Sequence, residues 1–385
     1  MTGIFLRRLL LTLTGSLFLW AAIPAFSQNN FKLKYPNSQV YAGIEVGSKG
    51  IKLSLLEIGK NAQNNGSINP LKDTTVNTDF ISFTQASFQA TLKGFGALYA
   101  KVLNEYQVPS GRIFTVVSSG VKSEADKNEK QSWITQLVTE FKRSINEPDR
   151  EVPVIDVMEE ARLSHLGIVP ESRRYTTFLI DIGSGNTKGG YFPNGNTRDL
   201  KLFQLNWGTK STNNATEKRC EGDKSLTNYS RQMNRVLQAA ESSEIIYAVN
   251  ASGSYNMSDN IAFSGGIAWS LATLAYPELI DNSVVPATYE DLVKFADRIE
   301  HNYASISDSA IVQNLVDGGV NKATVAREAK RVNQVFDQRA LMAGTGLLLK
   351  IMRQFDGVWE KKQFYLVKNG QVGWISAYVD KKINK

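Results

Sequence analysis

The sequence predicts an α/β protein of two similar lobes with a ligand cleft between them. Three observations carry that expectation. Strand-like and helix-like stretches alternate along most of the 385 residues, the pattern of sheets covered by helices. The length suits two domains of ordinary size. The order acid, aliphatic, Gly, Ser, three further residues, Lys occurs twice. It reads Glu45-Val46-Gly47-Ser48-Lys49-Gly50-Ile51-Lys52 and then Asp181-Ile182-Gly183-Ser184-Gly185-Asn186-Thr187-Lys188, each time at the end of an apolar strand.

Taken in order, Val40 to Val46 and Ile51 to Ile58 read as paired strands around a turn at Gly47 to Gly50. Residues 60–70, rich in Asn and Gly, read as a loop. Phe88, Leu92, Phe95, Leu98, Tyr99, Val102 and Leu103 recur at helical spacing. Ile113 to Val117 and Val152 to Val157 read as strands, Trp133 to Phe141 and Met158 to Leu166 as helices. The second hairpin is Thr177 to Asp181, a turn over Ile182 to Thr187, and Lys188 to Phe192. Beyond it, helices are expected at Leu226 to Ala240, Tyr289 to His301, Lys322 to Val335 and Leu341 to Met352. Strands are expected at Glu244 to Val249, Asn260 to Phe263 and Phe364 to Val367.

The N-terminus reads as an export signal. Arg7 and Arg8 precede the apolar run Leu9 to Trp20, and Ala25-Phe26-Ser27 offers small residues ahead of Gln28. Cleavage there leaves an exported chain, periplasmic or extracellular, that begins with a polar linker over residues 28–38. Residues 1–27 hold two arginines and no acid, so their loss takes the net charge from +7 to +5. That balance is compatible with an anionic ligand. No dense Lys/Arg run argues for a nucleic-acid duplex, and no later segment is apolar enough to span a membrane. Two His and one Cys rule out a Cys/His zinc site and an intrachain disulfide framework. Cys220, flanked by Arg219 and Glu221, is expected to be a lone surface thiol, and both histidines surface or packing residues.

The repeated octet suits phosphate. A Gly-Ser turn leaves backbone N–H groups unobstructed and pointing into one concavity, where they hold an oxyanion through several dipoles at once. Ser48, Ser184 and Thr187 add hydroxyls, and Lys52 and Lys188 add charge. The acid before each Gly would repel phosphate, so it makes sense as a ligand of Mg²⁺ bridging to phosphate oxygens. Competing motifs fail. After Gly183-x-Gly185 the next Gly comes one residue late for a dinucleotide fingerprint, and a strand follows where a helix is needed. Gly208-Thr-Lys-Ser211 imitates the end of a P-loop, but its Lys does not follow Gly directly. No Gly-x-Ser-x-Gly elbow occurs.

The sequence resembles the exopolyphosphatase/guanosine-pentaphosphatase (Ppx/GppA) family, within the superfamily of actin, sugar kinases and heat-shock ATPases. Ala42-Gly-Ile-Glu-Val-Gly-Ser48 resembles that family's first phosphate motif, and Leu179-Ile-Asp-Ile-Gly-Ser-Gly-Asn-Thr-Lys188 its second. Val116-Val-Ser-Ser-Gly-Val-Lys122 resembles the A-T-x-A-x-R stretch, and Met158-Glu-Glu-Ala-Arg-Leu163 with Gly167 the E-E-A-R-L…G segment. Ser264-Gly265-Gly266, Ala343-Gly-Thr-Gly-Leu-Leu348 and Lys368-Asn-Gly-Gln-Val-Gly373 resemble later turns and the closing helix.

The resemblance implies two ribonuclease H-like (actin-like ATPase) lobes, one over 39–157 and one over 158–385, with the C-terminal segment packing back on the first. It implies hydrolysis of a terminal phosphoanhydride by an activated water with Mg²⁺. Glu160 then matches the general base, Asp181 and Glu45 the metal-binding acids, and Lys122 the phosphate-binding cation. Gly47, Ser48, Lys52, Ser118, Gly183, Ser184, Gly185, Asn186, Thr187, Lys188, Gly265 and Gly266 complete the phosphate site. The chain departs from the family pattern at several places, most sharply at Lys188, where the family carries Glu and an ammonium would repel a metal. The partner expected is polyphosphate or a nucleotide-like phosphoanhydride, and export favours polyphosphate. The alternatives are a non-catalytic binder in which Lys188 replaces the metal, and a kinase or ATPase of the same superfamily. A homodimer stays open.

Overall fold

The computed structural model describes residues 31–60, 62, 68–256, 258–315, 319–356, 361–368 and 370–383. The expected signal segment 1–27 lies outside the described residues. Residues Lys34–Lys385 form one compact unit. Among the described residues no helix is long and apolar enough to cross a membrane.

The fold is built on two sheets. The first contains β1 (Gln39–Val46), β2 (Gly50–Ile58), β3 (Ile68–Asn77) and β4 (Ile113–Val117), in the order β3-β2-β1-β4. The second contains β5 (Thr177–Ile182), β6 (Thr187–Tyr191), β7 (Lys201–Leu205), β8 (Asn260–Ser264), β9 (Val284–Ala287) and β10 (Gln363–Val367), in the order β7-β6-β5-β8-β10-β9. Both begin with the same arrangement: three antiparallel strands in meander, then a parallel strand beside the first of them. The α/β expectation and the pairing of the two hairpins therefore hold.

The helices are α1 (Gln85–Asn104), α2 (Ser119–Lys127), α3 (Gln131–Ser144), α4 (Val157–Ile168), α5 (Thr209–Cys220), α6 (Leu226–Ala240), α7 (Ile246–Ser252), α8 (Gly266–Leu274), α9 (Tyr289–His301), α10 (Asp308–Gln313), α11 (Lys322–Val335), α12 (Gln338–Arg353) and α13 (Gly370–Ile383). Phe95 of α1 stacks on Phe141 of α3 at 3.6 Å between ring centres. Behind the first sheet, Leu56, Ile58 and Val116 pack against Leu163 of α4 and Trp374, Ile375, Tyr378 and Val379 of α13. The C-terminal helix thus lies against the first sheet. In the second lobe Phe178, Ile180 and Ile182 of β5 bury against α6, α8 and α12 in the largest core. The opposite face of β5 presents Leu179 to Ile168 and Val169 at the end of α4.

Several expectations need correction. Residues 68–77 form an edge strand, whereas residues 60–70 read as loop. Glu244 to Val249 is helical, continuing α6 through a π turn at Glu241–Ile245 into α7. Ile245 and Val249 face a ready-made core, so packing overrides local strand preference. Val152 to Val157 contributes only an isolated bridge, Val117 to Val154, before α4 starts. Cys220 is buried at the end of α5, in the apolar core, and is not a surface thiol. Lys34, Tyr35 and Ser38, in the segment expected as linker, all donate hydrogen bonds to the buried Glu57 carboxylate.

Candidate active site

Strand parity sets the site. In β5 the residues facing α4 are those in phase with Leu179, and Asp181 is two positions on. In the antiparallel hairpin Asp181 lies directly opposite Lys188, so both side chains share that face. The first hairpin repeats this, with Glu45 directly opposite Lys52. The turns match as well: the Gly47 N–H donates to the Gly50 carbonyl at 2.8 Å, and the Gly183 N–H to the Asn186 carbonyl at 3.0 Å.

The two turns face one another. A side chain at Gly185 would place its first carbon 3.5 Å from Ser48 Oγ. One at Gly120, in the first turn of α2, would stand 2.8 Å from the same oxygen. Around them opens a cavity of about 680 Å³. Its wall contains Glu45, Gly47, Ser48, Lys52, Ser118, Glu160, Asp181, Gly183, Ser184, Gly185, Asn186, Lys188, Gly265 and Gly266 of the residues singled out in the sequence. Gly265 is required by its backbone. Its φ is +93°, and a Cβ there would lie 2.2 Å from the Ile182 carbonyl oxygen.

Two of the expected residues are placed elsewhere. Lys122 sits one turn into α2 with its ammonium 2.5 Å from Asp126, four residues on and exposed. The N-terminal residues Ser119 to Val121 occupy the buried side of that helix, which turns Lys122 to solvent. Thr187 is fully buried, and its hydroxyl donates to the Trp207 carbonyl at 2.7 Å.

Glu160 lies at the floor of the cleft, 2 % exposed, in the first turn of α4. Its Oε2 accepts the Ser119 N–H at 2.7 Å, from the N-terminus of α2, an end whose dipole favours a carboxylate. Its Oε1 is 3.0 Å from the Lys188 ammonium. Asp181 Oδ2 is 3.3 Å from the same ammonium, and Asp181 Oδ1 accepts the Ser264 hydroxyl at 2.9 Å. Burial opposes the charge on Lys188, but Glu160 and then Asp181 more than offset it and hold the ammonium above the ordinary lysine range. Lys52 goes the other way. Burial lowers it, and the opposing pull of Glu45, Asp73, Asp181 and Glu160 does not restore it. Glu45 is pushed up to about 7, chiefly by burial, against the attraction of Lys52.

These donors do not fit a divalent cation on Glu45 and Asp181. Each oxygen of Glu160 and Asp181 already has a partner, and the ammonium between them would repel a second cation. Among the described residues no group of three or more His, Cys, Asp and Glu is arranged to hold a metal ion.

Other residues line the cleft that the sequence did not point to. The first N–H groups of α5 are spent on the second turn: Thr209 donates to the Gly183 carbonyl, and Lys210 and Ser211 donate to that of Ser184. Gly208-Thr-Lys-Ser211, set aside as a failed P-loop, is thus a brace for the phosphate-type turn. The Gly followed by Thr and Ser was the available signal for a helix start there. At the mouth, Lys210 pairs with Asp79, Arg331 pairs with Asp73 at 3.0 Å, and Lys49 donates to the Val335 carbonyl at 3.3 Å. Each of these contacts joins the first lobe to the second across the cavity.

Comparison with solved structures decides the fold type. A Ppx/GppA family member from Aquifex aeolicus aligns over 90% of this chain and 98% of its own, with a TM-score of 0.58 and 17% identity. An exopolyphosphatase from Cytophaga hutchinsonii aligns over 89% and 98%, with a TM-score of 0.52 and 15% identity. The chain has the Ppx/GppA fold. An exopolyphosphatase-like protein aligns at a TM-score of 0.55 over 87% of this chain, at 14% identity. No protein-family model and no curated protein matches the sequence. The Ppx/GppA fold, an actin-like ATPase fold, accounts for the duplicated sheet core and for a cleft where the two hairpin turns meet.

Proposed function

We propose that the protein is an exopolyphosphatase-like phosphohydrolase of the Ppx/GppA group that releases terminal phosphate from a phosphoanhydride chain, inorganic polyphosphate before nucleotides. The observation that carries this reading is the opposition of the Ser48 and Ser184 turns across one cavity with Glu160 at its floor. Two glycine-rich turns give backbone donors for the peripheral oxygens of a terminal phosphate, the kind of positioning and charge stabilisation on which phosphoryl transfer depends. Glu160 then orients a water. The water oxygen bonds to the terminal phosphorus, the bridging P–O bond breaks, and the water's proton passes to the Glu160 carboxylate. The shortened chain leaves with the electron pair of that bond. The export signal expected at Ala25-Phe26-Ser27 favours polyphosphate, because nucleotides are scarce outside the cytoplasm.

A second reading, binding without turnover, is favoured by one contact. The Lys188 ammonium already occupies Glu160 Oε1 at 3.0 Å, which weakens that carboxylate as a base. Phosphate release from polyphosphate by the purified protein tests both. Release that Glu160→Gln abolishes, with binding retained, supports the hydrolase. Binding with no release by the wild type supports the second reading, and neither binding nor release overturns both.

A further inference from the structure

Lys188 is the feature that the phosphohydrolase reading leaves unexplained. It is 5 % exposed, yet it lines the cleft, and its ammonium lies 3.8 Å from where a side chain on Gly183 would begin. It therefore stands directly behind the second phosphate-type turn. Pairing with Asp181 across the hairpin fixes the side chain on this face, and Glu160 of α4 fixes its far end.

We propose that Lys188 is the built-in cation of the cleft, standing where a divalent ion would bridge acids and phosphate, so that the site takes phosphate chains free of metal. The inference rests on the phosphoanhydride reading of the cleft. Three lines of chemistry support it. Both acids beside Lys188 have each oxygen already engaged once, by Ser119 N–H, by the Ser264 hydroxyl or by the ammonium itself, so the cation that neutralises them is already in place. The ammonium touches both carboxylates, so a divalent ion reaching them would lie against a like charge. The floor gathers Glu45, Glu160 and Asp181 around Lys52 and Lys188. Without Lys188 those three acids would face one lysine and repel an anion more strongly. With it they face two, and the turns' N–H groups are left to hold the phosphate.

The test is calorimetric titration of the full-length protein with sodium tripolyphosphate, once in EDTA and once in excess Mg²⁺. The expected result is binding in EDTA at least as tight as in Mg²⁺. Binding that appears only with Mg²⁺ overturns this inference and leaves the phosphoanhydride reading intact, whereas no binding in either buffer overturns both. Lys188→Gln should weaken binding in EDTA at least ~10-fold, since it strips the charge from a buried pair. Lys188→Arg, which keeps the cation, should stay within ~3-fold of wild type. Equal affinity of the Gln variant overturns the assignment. If the Gln variant does not fold, thermal unfolding of the wild type with Mg²⁺ alone decides: no shift in Tm is expected, and a rise that depends on Mg²⁺ concentration contradicts the inference.

Discussion

The two hairpins are the same device with different surroundings. Each puts an acid opposite a lysine two positions from a Gly-Ser turn, and each closes that turn with the same backbone hydrogen bond. Yet burial wins at Lys52 and lowers its pKa, while the carboxylates win at Lys188 and raise it. The cause is one helix. The first turn of α4 sets Glu160 against the second hairpin, so Lys188 has two carboxylates in contact, while the pull of Glu45, Asp73, Asp181 and Glu160 on Lys52 does not offset its burial. A local motif therefore fixes where a lysine points, and the element packed over it decides what the lysine does. The first hairpin has a partly buried cation facing the cleft, and the second has a cation locked into the floor.

This difference can be broken in stages. The largest effect is expected at Glu160. Glu160→Gln should reduce phosphate release from polyphosphate by ~10²-fold or more, the usual size of a lost proton acceptor, measured against a tripolyphosphate affinity that changes little. Next comes the backbone that holds the second hairpin beside Ser264. Gly265→Ala forces a side chain onto a left-handed residue and against the Ile182 carbonyl, and should cost about 3 kcal/mol in chemical denaturation. The equivalent probe of the first hairpin is gentler: Lys52→Gln should weaken tripolyphosphate binding by less than Lys188→Gln does, because Lys52 is not tied into an ion-pair network. If the two substitutions were equal, the asymmetry described above would be unimportant for binding.

A pH titration probes the same helix. His165 of α4 is buried, its Nε2–H donates to the Thr177 carbonyl at the start of β5, and its Nδ1 has no partner. Burial lowers its pKa from 6.5 to about 4. The unfolded chain gains this proton below 6.5, while the folded chain resists it until about 4. Stability from His165 is therefore full above 6.5 and is lost as pH falls toward 4. His165→Gln should flatten the melting temperature across that interval, and an unchanged slope would contradict the role. The smallest effect is expected at Lys122. Lys122→Gln should leave tripolyphosphate affinity within ~2-fold of wild type, since its exposed pair with Asp126 is not part of the cleft wall and such pairs are worth little.

Much of the site could be read in the sequence because its grammar is local. The octets announce themselves by Gly-Ser after an apolar strand, and the period of two then places acid and lysine on one face. What stayed hidden lacks a local signal. The edge strand β3, Ile68–Asn77, carries Pro70, Lys72 and Asp73 and has no alternating apolar face, since none of its residues is fully buried. Helix α5 is polar nearly throughout, and its place comes from N–H groups bonded to the second turn. The C-terminal helix hid behind Gly370 and Gly373, which read as a turn. Gly373 instead lets α13 approach α4, where a side chain on Gly373 would lie 2.2 Å from Ile168 Cγ1 and one on Gly167 2.0 Å from the Gly373 carbonyl oxygen. Lys122 failed for the opposite reason. The resemblance assigned it a phosphate, but helix phase turns it away from the cleft.

In the proposed hydrolase both turns grip one phosphate chain. Amide chemical shifts followed by NMR during a tripolyphosphate titration test this directly. The signals of Gly47, Ser48 and Lys49 should move together with those of Ser184, Gly185 and Asn186, along a single binding isotherm. Movement confined to one turn, or two isotherms of different midpoint, would contradict it.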